Sequence, residues 1–282
     1  EFSLEEAKEK NSLTKYEYHP IVVYLTDDEL ERYHQLSKEL SKCIIKKIEK
    51  VKLTERGKVI AQKRSRVVAG AFNKTLALAK AIKPFQKENH ILVYCGATTI
   101  DEQDENGDDM WQIDAITELL GNELKMNVAQ FTSKEDSNTR DMLKKKFFDG
   151  DYLQVLVAIK CLDEGVNIPA IKTAFILAST TNPKEYIQRR GRVLRRYPGK
   201  EFAIIYDFVT LPRPLDEAGS LTFDEIRCEK SMVKNEINRM IEFKRLALNR
   251  MESDILIDDI VKTYHLNNFE EMGDEQYLWM KM

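Results

Sequence analysis

The sequence predicts an α/β fold, a doubly wound parallel sheet followed by a helical extension at its carboxyl end. Three observations carry this reading. The runs HILVYC (90–95), NVAQFT (127–132), QVLVAI (154–159), TAFILA (173–178) and EFAIIY (201–206) are short, apolar and poor in polar alternation, as expected of strands buried on both faces. Helical stretches at roughly 109–124, 134–148 and 183–196 separate most of these runs, and parallel strands need crossovers of about that length. After LPRP (211–214) the strand-like runs stop, and 222–251 is strongly helical.

Taken in order, residues 1–15 read as a helical leader or linker, and PIVVYL (20–25) is a β-rich run. Thr26 with Glu29 forms a capping box. It opens a long amphipathic helix with Leu30, Tyr33, Leu36, Leu40, Ile44 and Ile48 on one face. Residues 50–64 are basic and carry Gly57, which suggests a turn or hinge, and 65–87 reads as a second helix ending near Pro84. Thr222 and Glu225 form a further capping box. The expected organisation is therefore a leader at 1–15, an α/β domain at 16–212 with a helical insertion at about 27–87, and an extension at 213–282.

Composition narrows the function classes. The chain has 282 residues, of which 43% are hydrophobic and 32% charged, so it is globular. Lys and Arg number 44 against 47 Asp and Glu, for a net charge of −3. A uniformly basic coat is excluded, and any polyanion must meet a local patch. No apolar run of about 18 residues is present, so no membrane-spanning helix is expected. The leading EFSLEEAKEK lacks the layout of a signal peptide. Cys43, Cys95, Cys161 and Cys228 form no CxxC pair, and His19, His34, His90 and His265 are scattered. Reduced thiols, an intracellular (cytoplasmic) protein and no metal site are expected. The acidic stretch DEQDENGDD (101–109) reads as a solvated loop.

Two segments concentrate the chemistry. KEYIQRRGRVLRRYPGK (184–200) holds seven basic residues and one acid. On a helix, Gln188, Gly191, Arg192 and Arg195 share a face through spacings of three, four and seven. That face gathers an amide and two guanidiniums beside a glycine, and guanidinium forks suit phosphate oxygens. Charges alone would fit a solvated surface helix equally well. The second segment, QVLVAIKCLDEGVNIP (154–169), runs from a buried strand into Asp163, Glu164, Gly165 and Asn167. Ligands in α/β sheets bind beyond the carboxyl ends of strands, where this turn falls.

Together these segments resemble the second RecA-like domain of superfamily 2 helicases and DNA translocases. LDEGVNIP resembles motif V, EYIQRRGRVLRR motif VI and HILVYCGAT motif IV, while FTSKEDSNTRDMLKKKFFDG (131–150) is similar to the helix that follows. YEYHPIVVYLTDDELERY (16–33) resembles the entry into this domain, so the likeness covers about 16–212 in order. The QRRGRVLR form lacks the features of DEAD-box, DEAH and Swi2/Snf2 proteins and stands nearest the repair-helicase and restriction-translocase group, including bacterial defence-type proteins.

The resemblance implies a RecA-like fold, ATP with Mg2+ in the full-length protein, and no tight nucleotide binding by this chain alone. Arg192 and Arg195 would be arginine fingers, with Gln188 orienting water or touching the γ-phosphate. Asp163, Glu164, Gly165, Asn167 and Gly191 would line the ATP site. Thr98, Thr132, Ser133, Arg140 and Lys160 would meet the nucleic-acid backbone. Of Arg189 and Arg190, one would pair with an acid of the fold. The implied partners are an N-terminal RecA-like domain of the same polypeptide, DNA in preference to RNA, and subunits of a restriction or defence system. Two departures, Asn167 in place of Asp and Ile159 in place of Thr, each put one contact in question.

No GxxxxGK[ST] phosphate loop occurs in the chain. Asp101-Glu102-Gln103-Asp104 mimics a DExD box but follows motif IV inside the acidic stretch. The expectation is half of an ATPase, with a noncatalytic nucleic-acid or protein-binding module on the same fold as the alternative.

Overall fold

The computed structural model describes residues 13–47, 50–103, 109–132, 134–150, 152–159, 168, 170–178 and 183–266. Six strands form one parallel sheet: β1 (Lys15–Tyr24), β4 (Ile91–Cys95), β7 (Val128–Phe131), β8 (Val155–Ile159), β9 (Thr173–Ile176) and β10 (Phe202–Leu211). Their order is β1-β10-β9-β4-β8-β7, and every neighbouring pair is parallel. The five apolar runs thus all become strands, and β4 and β9 are buried at every position.

Burial on both faces explains the missing alternation. One face carries Leu92, Tyr94, Leu156, Ala174 and Ile205, covered by α5 (Ser137–Asp149), α6 (Pro183–Val193) and α8 (Phe223–Lys244). The other carries Val93, Val155, Val157 and Phe175, covered by α3 (Asn73–Ile82) and α4 (Gln112–Glu118). Helix α4 continues as a π turn over Leu119–Glu123. Gly150 ends α5 with φ of 75°, the left-handed cap that a residue without Cβ adopts most cheaply.

The strand β1 starts five residues before the run expected at 20–25, because its first half, KYEYH, pairs with the start of β10. Tyr16 and Tyr18 there are buried polar-tipped residues, donating to the Phe243 carbonyl and to Asp207. As an edge strand β1 would expose backbone groups. Asn249 bonds both the Tyr18 amide and its carbonyl, Leu248 donates to the Tyr16 carbonyl, and Pro20 removes a donor.

The helical insertion departs from expectation. Helix α1 (Asp27–Ser41) starts at the Thr26–Glu29 capping box but ends at Ser41. Ile44, placed on its apolar face by spacing, instead opens with Ile45 an antiparallel hairpin of β2 (Ile44–Lys47) and β3 (Lys50–Leu53). Adjacent β-branched residues favour strand pairing, and Ile48 lies outside the described residues. Residues 50–64 are not a hinge: β3 is followed at once by α2 (Glu55–Ala69), with Thr54 as its N-cap. Gly57 sits in the first turn of α2 because a Cβ there would lie 2.9 Å from the Cβ of Cys43. The single helix expected over 65–87 is broken at Gly70–Phe72 into α2 and α3. The acidic stretch is likewise more than a loop: β5 (Thr99–Gln103) pairs with β6 (Asp109–Trp111), and 104–108 lie outside the described residues.

The extension is helical: α7 (Leu215–Ala218), α8, which carries the Thr222–Glu225 contact, and α9 (Arg250–Thr263). It docks on the sheet and shares its core. Phe243 and Ala247 pack with Tyr16, Tyr18 and Ala203, while Val209 and Leu211 of β10 pack with Val233, Ile237 and Ile260.

Candidate nucleotide and nucleic-acid interface

In a parallel sheet all carboxyl strand ends share one edge. Thr98 follows β4, Thr132 follows β7, and β8 leads toward 160–167. Those last residues, holding Lys160, Asp163, Glu164, Gly165 and Asn167, lie outside the described residues, as do Cys161 and Ser133. Thr98 is 6% exposed and its hydroxyl donates to the Arg66 carbonyl at 3.3 Å. Thr132 is 7% exposed and its hydroxyl donates to the Glu135 carboxylate at 2.9 Å. Both hydroxyl protons are thus engaged within the fold. Arg140 stands in the first turn of α5, half-buried, and its buried Nε has no hydrogen-bond partner among the described residues. No grouping of His, Cys, Asp and Glu among the described residues could hold a metal.

The arginine-rich segment becomes α6, which follows β9 and runs back along the sheet. The segment divides its arginines by environment. Arg190 is fully buried and pairs with Glu242 of α8, Nη2 to Oε1 at 2.8 Å, with Nη1 on the Glu242 carbonyl. Its guanidinium lies 5.5 Å from the Phe243 ring centroid. Gly191 and Arg192 are half-buried on the next positions, and Val193 and Leu194 return to the core. Gln188 and Arg189 belong to α6; their side chains are not among those described. Among the described residues, a Cβ at Gly191 would meet no heavy atom within 4 Å.

Arg195 does not share the helix face expected from spacing. The helix ends at Val193, and Arg195 is an exposed residue bridged to Leu13. Thr14 fastens this end, its amide to the Leu194 carbonyl at 2.8 Å and its hydroxyl to the Arg195 carbonyl at 3.2 Å. Lys200 caps the same end by donating to the carbonyls of Val193 and Arg195. Cations suit the carboxyl end of a helix, yet burial pushes the Lys200 ammonium down to about 8. Beside it opens a cleft of about 320 Å³ lined by Leu13, Thr14, Lys15, Arg196, Tyr197 and Lys200.

Sequence reasoning left open which arginine pairs inside the fold. The structure assigns that role to Arg190, and the partner, Glu242, is 52 residues away on α8. The pin at Lys200 had no sequence signal beyond its charge.

The six-stranded parallel sheet with helices on both faces has the RecA-like fold. The family described as helicase conserved C-terminal domain matches residues 73–197, somewhat under half of the chain. It is 37% identical over 79 residues to the DNA 3'-5' translocase XPB2 of Sulfurisphaera tokodaii, covering 28% of this chain and 17% of that protein. The chain therefore spans about one sixth of that relative's length. In structure it resembles the SWI2/SNF2 ATPase core of Sulfolobus solfataricus in complex with dsDNA, with TM-score 0.51 and 14% identity over 83% of this chain and 50% of that one. It also resembles the C-terminal part of the Fun30 ATPase domain, with TM-score 0.50 and 12% identity over 83% of this chain and 99% of that one. No helix among the described residues is long and apolar enough to cross a membrane.

Proposed function

We propose that this chain is the arginine-finger half of an ATP-driven DNA translocase or helicase. A second RecA-like domain of the same polypeptide would cradle the phosphates and hold Mg2+. The observation that carries the reading is the open space before Gly191, next to Arg192 on α6. Nothing described within the chain requires a glycine there, so its small size serves something that approaches from outside. Guanidiniums at that place fit a triphosphate: they would neutralise charge that spreads over the γ-phosphate as it leaves. Arg192 takes this role beside Gly191, Arg195 would reach the phosphates from the turn beyond the end of α6, and Gln188 would orient the attacking water. Asp163, Glu164, Gly165 and Asn167 would meet the ribose and the magnesium side. Ser133, Arg140 and Lys160 would follow the DNA backbone without reading sequence; Thr98 and Thr132 would join them only by exchanging their bonds to the Arg66 carbonyl and the Glu135 carboxylate for phosphate. The unit that performs this is 16–212, held by its extension at 213–266.

The decisive experiment joins this chain to its N-terminal RecA-like domain and replaces Arg192 by Ala. The expected loss in kcat for ATP is about 10²-fold or more. Arg192→Lys rescues little, because an ammonium lacks the planar fork. The 282-residue chain alone is expected to show no DNA-stimulated ATPase. A normal kcat in the Arg192→Ala protein would favour the noncatalytic binding module instead.

A further inference from the structure

Residues 42–66 hold ten basic side chains and two acidic ones, on a chain of net charge −3. Helix α2 divides its part of that charge between two faces. Gly57, Ile60 and Arg64 lie on the inner face; Arg64 sits 5.3 Å over the Tyr33 ring and donates to Ser37, helping to hold α1. Arg56, Val59, Lys63 and Arg66 lie on an adjoining face and are all exposed. Their spacings of three, four and three form a continuous stripe. Ten helical residues span about 15 Å, enough for about four phosphate steps of one DNA strand. Among the described side chains, two acids stand beside this helix. Glu55 pairs with Lys58 at 2.8 Å, and Glu39 stands 4.0 Å from Arg56. Among the described residues no carboxylate forms an ion pair with Lys63 or Arg66.

The carboxyl end of α2 is bolted to the edge of the sheet that bears the candidate DNA contacts. The Arg66 carbonyl accepts from Thr98, the Val68 carbonyl from Lys74 and Thr210, and the Ala69 carbonyl from Gln112 at 3.0 Å. Gln112 in turn accepts from the Gly96 amide at 2.8 Å. A Cβ at Gly96 would lie 3.1 Å from that of Ala178 and 3.3 Å from that of Ala69, so strand end and helix end meet closely. A stripe held this rigidly keeps its cations at fixed spacing.

We infer that the outer face of α2 is a second binding surface for the DNA phosphate backbone, continuous with the carboxyl edge of the sheet. It deepens the nucleic-acid part of the function proposed above and rests on that part, not on the ATP chemistry. An acidic protein would satisfy the same charges. DNA is favoured because the stripe leads directly to Thr98 and the strand ends.

The test measures fluorescence anisotropy of a labelled 30-base-pair duplex of arbitrary sequence with the full chain, across a salt series from about 50 mM. Replacing Arg56, Lys63 and Arg66 together by Gln should weaken binding about tenfold or more and lower the salt slope by about 2 to 3. Replacing Lys80, Lys83 and Lys87 by Gln removes equal charge from exposed positions that lead into the amino end of β4; it should leave affinity within about twofold. Circular dichroism melts confirm that both variants fold. Equal losses in the two variants would reduce the effect to net charge and overturn the inference. So would a stripe variant that binds like the unaltered chain. If that happens while Arg140→Ala still weakens binding, the DNA-binding function survives and only the α2 surface falls. If the unaltered chain fails to bind DNA at low salt, both fall.

Discussion

Helix α8 keeps its strongest charges inside the molecule, where Glu229, Glu236 and Arg239 are all buried, whereas helix α2 turns Arg56, Lys63 and Arg66 to solvent. The two elements have similar shares of charged residues and opposite uses for them. Arg239 donates to Asp207 at 3.0 Å, to both Glu236 oxygens at 2.7 and 2.8 Å, and to the Phe208 carbonyl at 3.3 Å. Tyr18 adds a hydroxyl to the same Asp207. Full burial raises the Asp207 carboxyl above its usual range despite the adjacent guanidinium. Such a group is stabilised only while every partner is present. On α2, solvent screens each charge, and removing one leaves nothing stranded. Buried charge therefore joins the extension to the sheet, and exposed charge is left for a partner.

The sharpest way to break this comparison is to remove the centre of the buried group. Arg239→Met should strand Asp207 and Glu236 without a counter-ion and destabilise the chain by about 3–5 kcal/mol, read from denaturant unfolding. A loss below about 1 kcal/mol would mean that the ion group holds nothing.

Next comes Arg190, a fully buried arginine of the basic segment. Arg190→Ala gives up the Glu242 pair and the contact over Phe243. Glu242 keeps 20% exposure and lies 3.5 Å from Arg245, so it is not left unpaired. The expected loss is about 2–3 kcal/mol. Arg192→Ala, two positions on, should stay within about 0.5 kcal/mol. Equal losses would mean that the two arginines carry the same structural weight.

A third measurement concerns Lys74, buried between α2 and the Arg239 group, with its ammonium on the Val68 carbonyl at 2.7 Å. Burial is the main cause that pushes it down to about 8. The unfolded lysine holds its proton to about 10.4. Between these values the unfolded chain binds more protons than the folded one, so stability rises with pH. From pH 7 to 9.5 the gain is about 2 kcal/mol, and Lys200 adds in the same direction. The buried tyrosines Tyr16 and Tyr18, whose hydroxyls are raised, reverse the trend above about pH 10. Lys74→Met should remove about half of the rise in melts taken between pH 7 and 9.5, Lys200 supplying the rest. An unchanged slope would place the titration elsewhere.

The smallest effect belongs to the exposed stripe. Arg56→Gln, Lys63→Gln and Arg66→Gln should each shift stability by no more than about 0.5 kcal/mol. A larger loss for any of them would show that the outer face of α2 is part of the fold's own support.

The sequence by itself determined the sheet. Strands buried on both faces write uninterrupted apolar runs, and a crossover helix must lie between parallel neighbours, so HILVYC, QVLVAI and TAFILA could be little else. It also determined the chemistry of α6, because Gly191 and the basic residues around it are local features of one segment. Only the tertiary structure decided which arginine serves which purpose. Arg190 is distinguished from Arg192 by Glu242, which belongs to a helix 52 residues away, and no spacing rule encodes that meeting. The same holds for Ile44, whose position fits a helical face as well as a strand until a pairing partner decides. Arg195 left the expected face because Thr14 and Lys200 tie down the chain after Val193. Local patterns fix what a segment can become; long-range partners, which cost loop entropy to assemble and repay it through burial, fix what it does become.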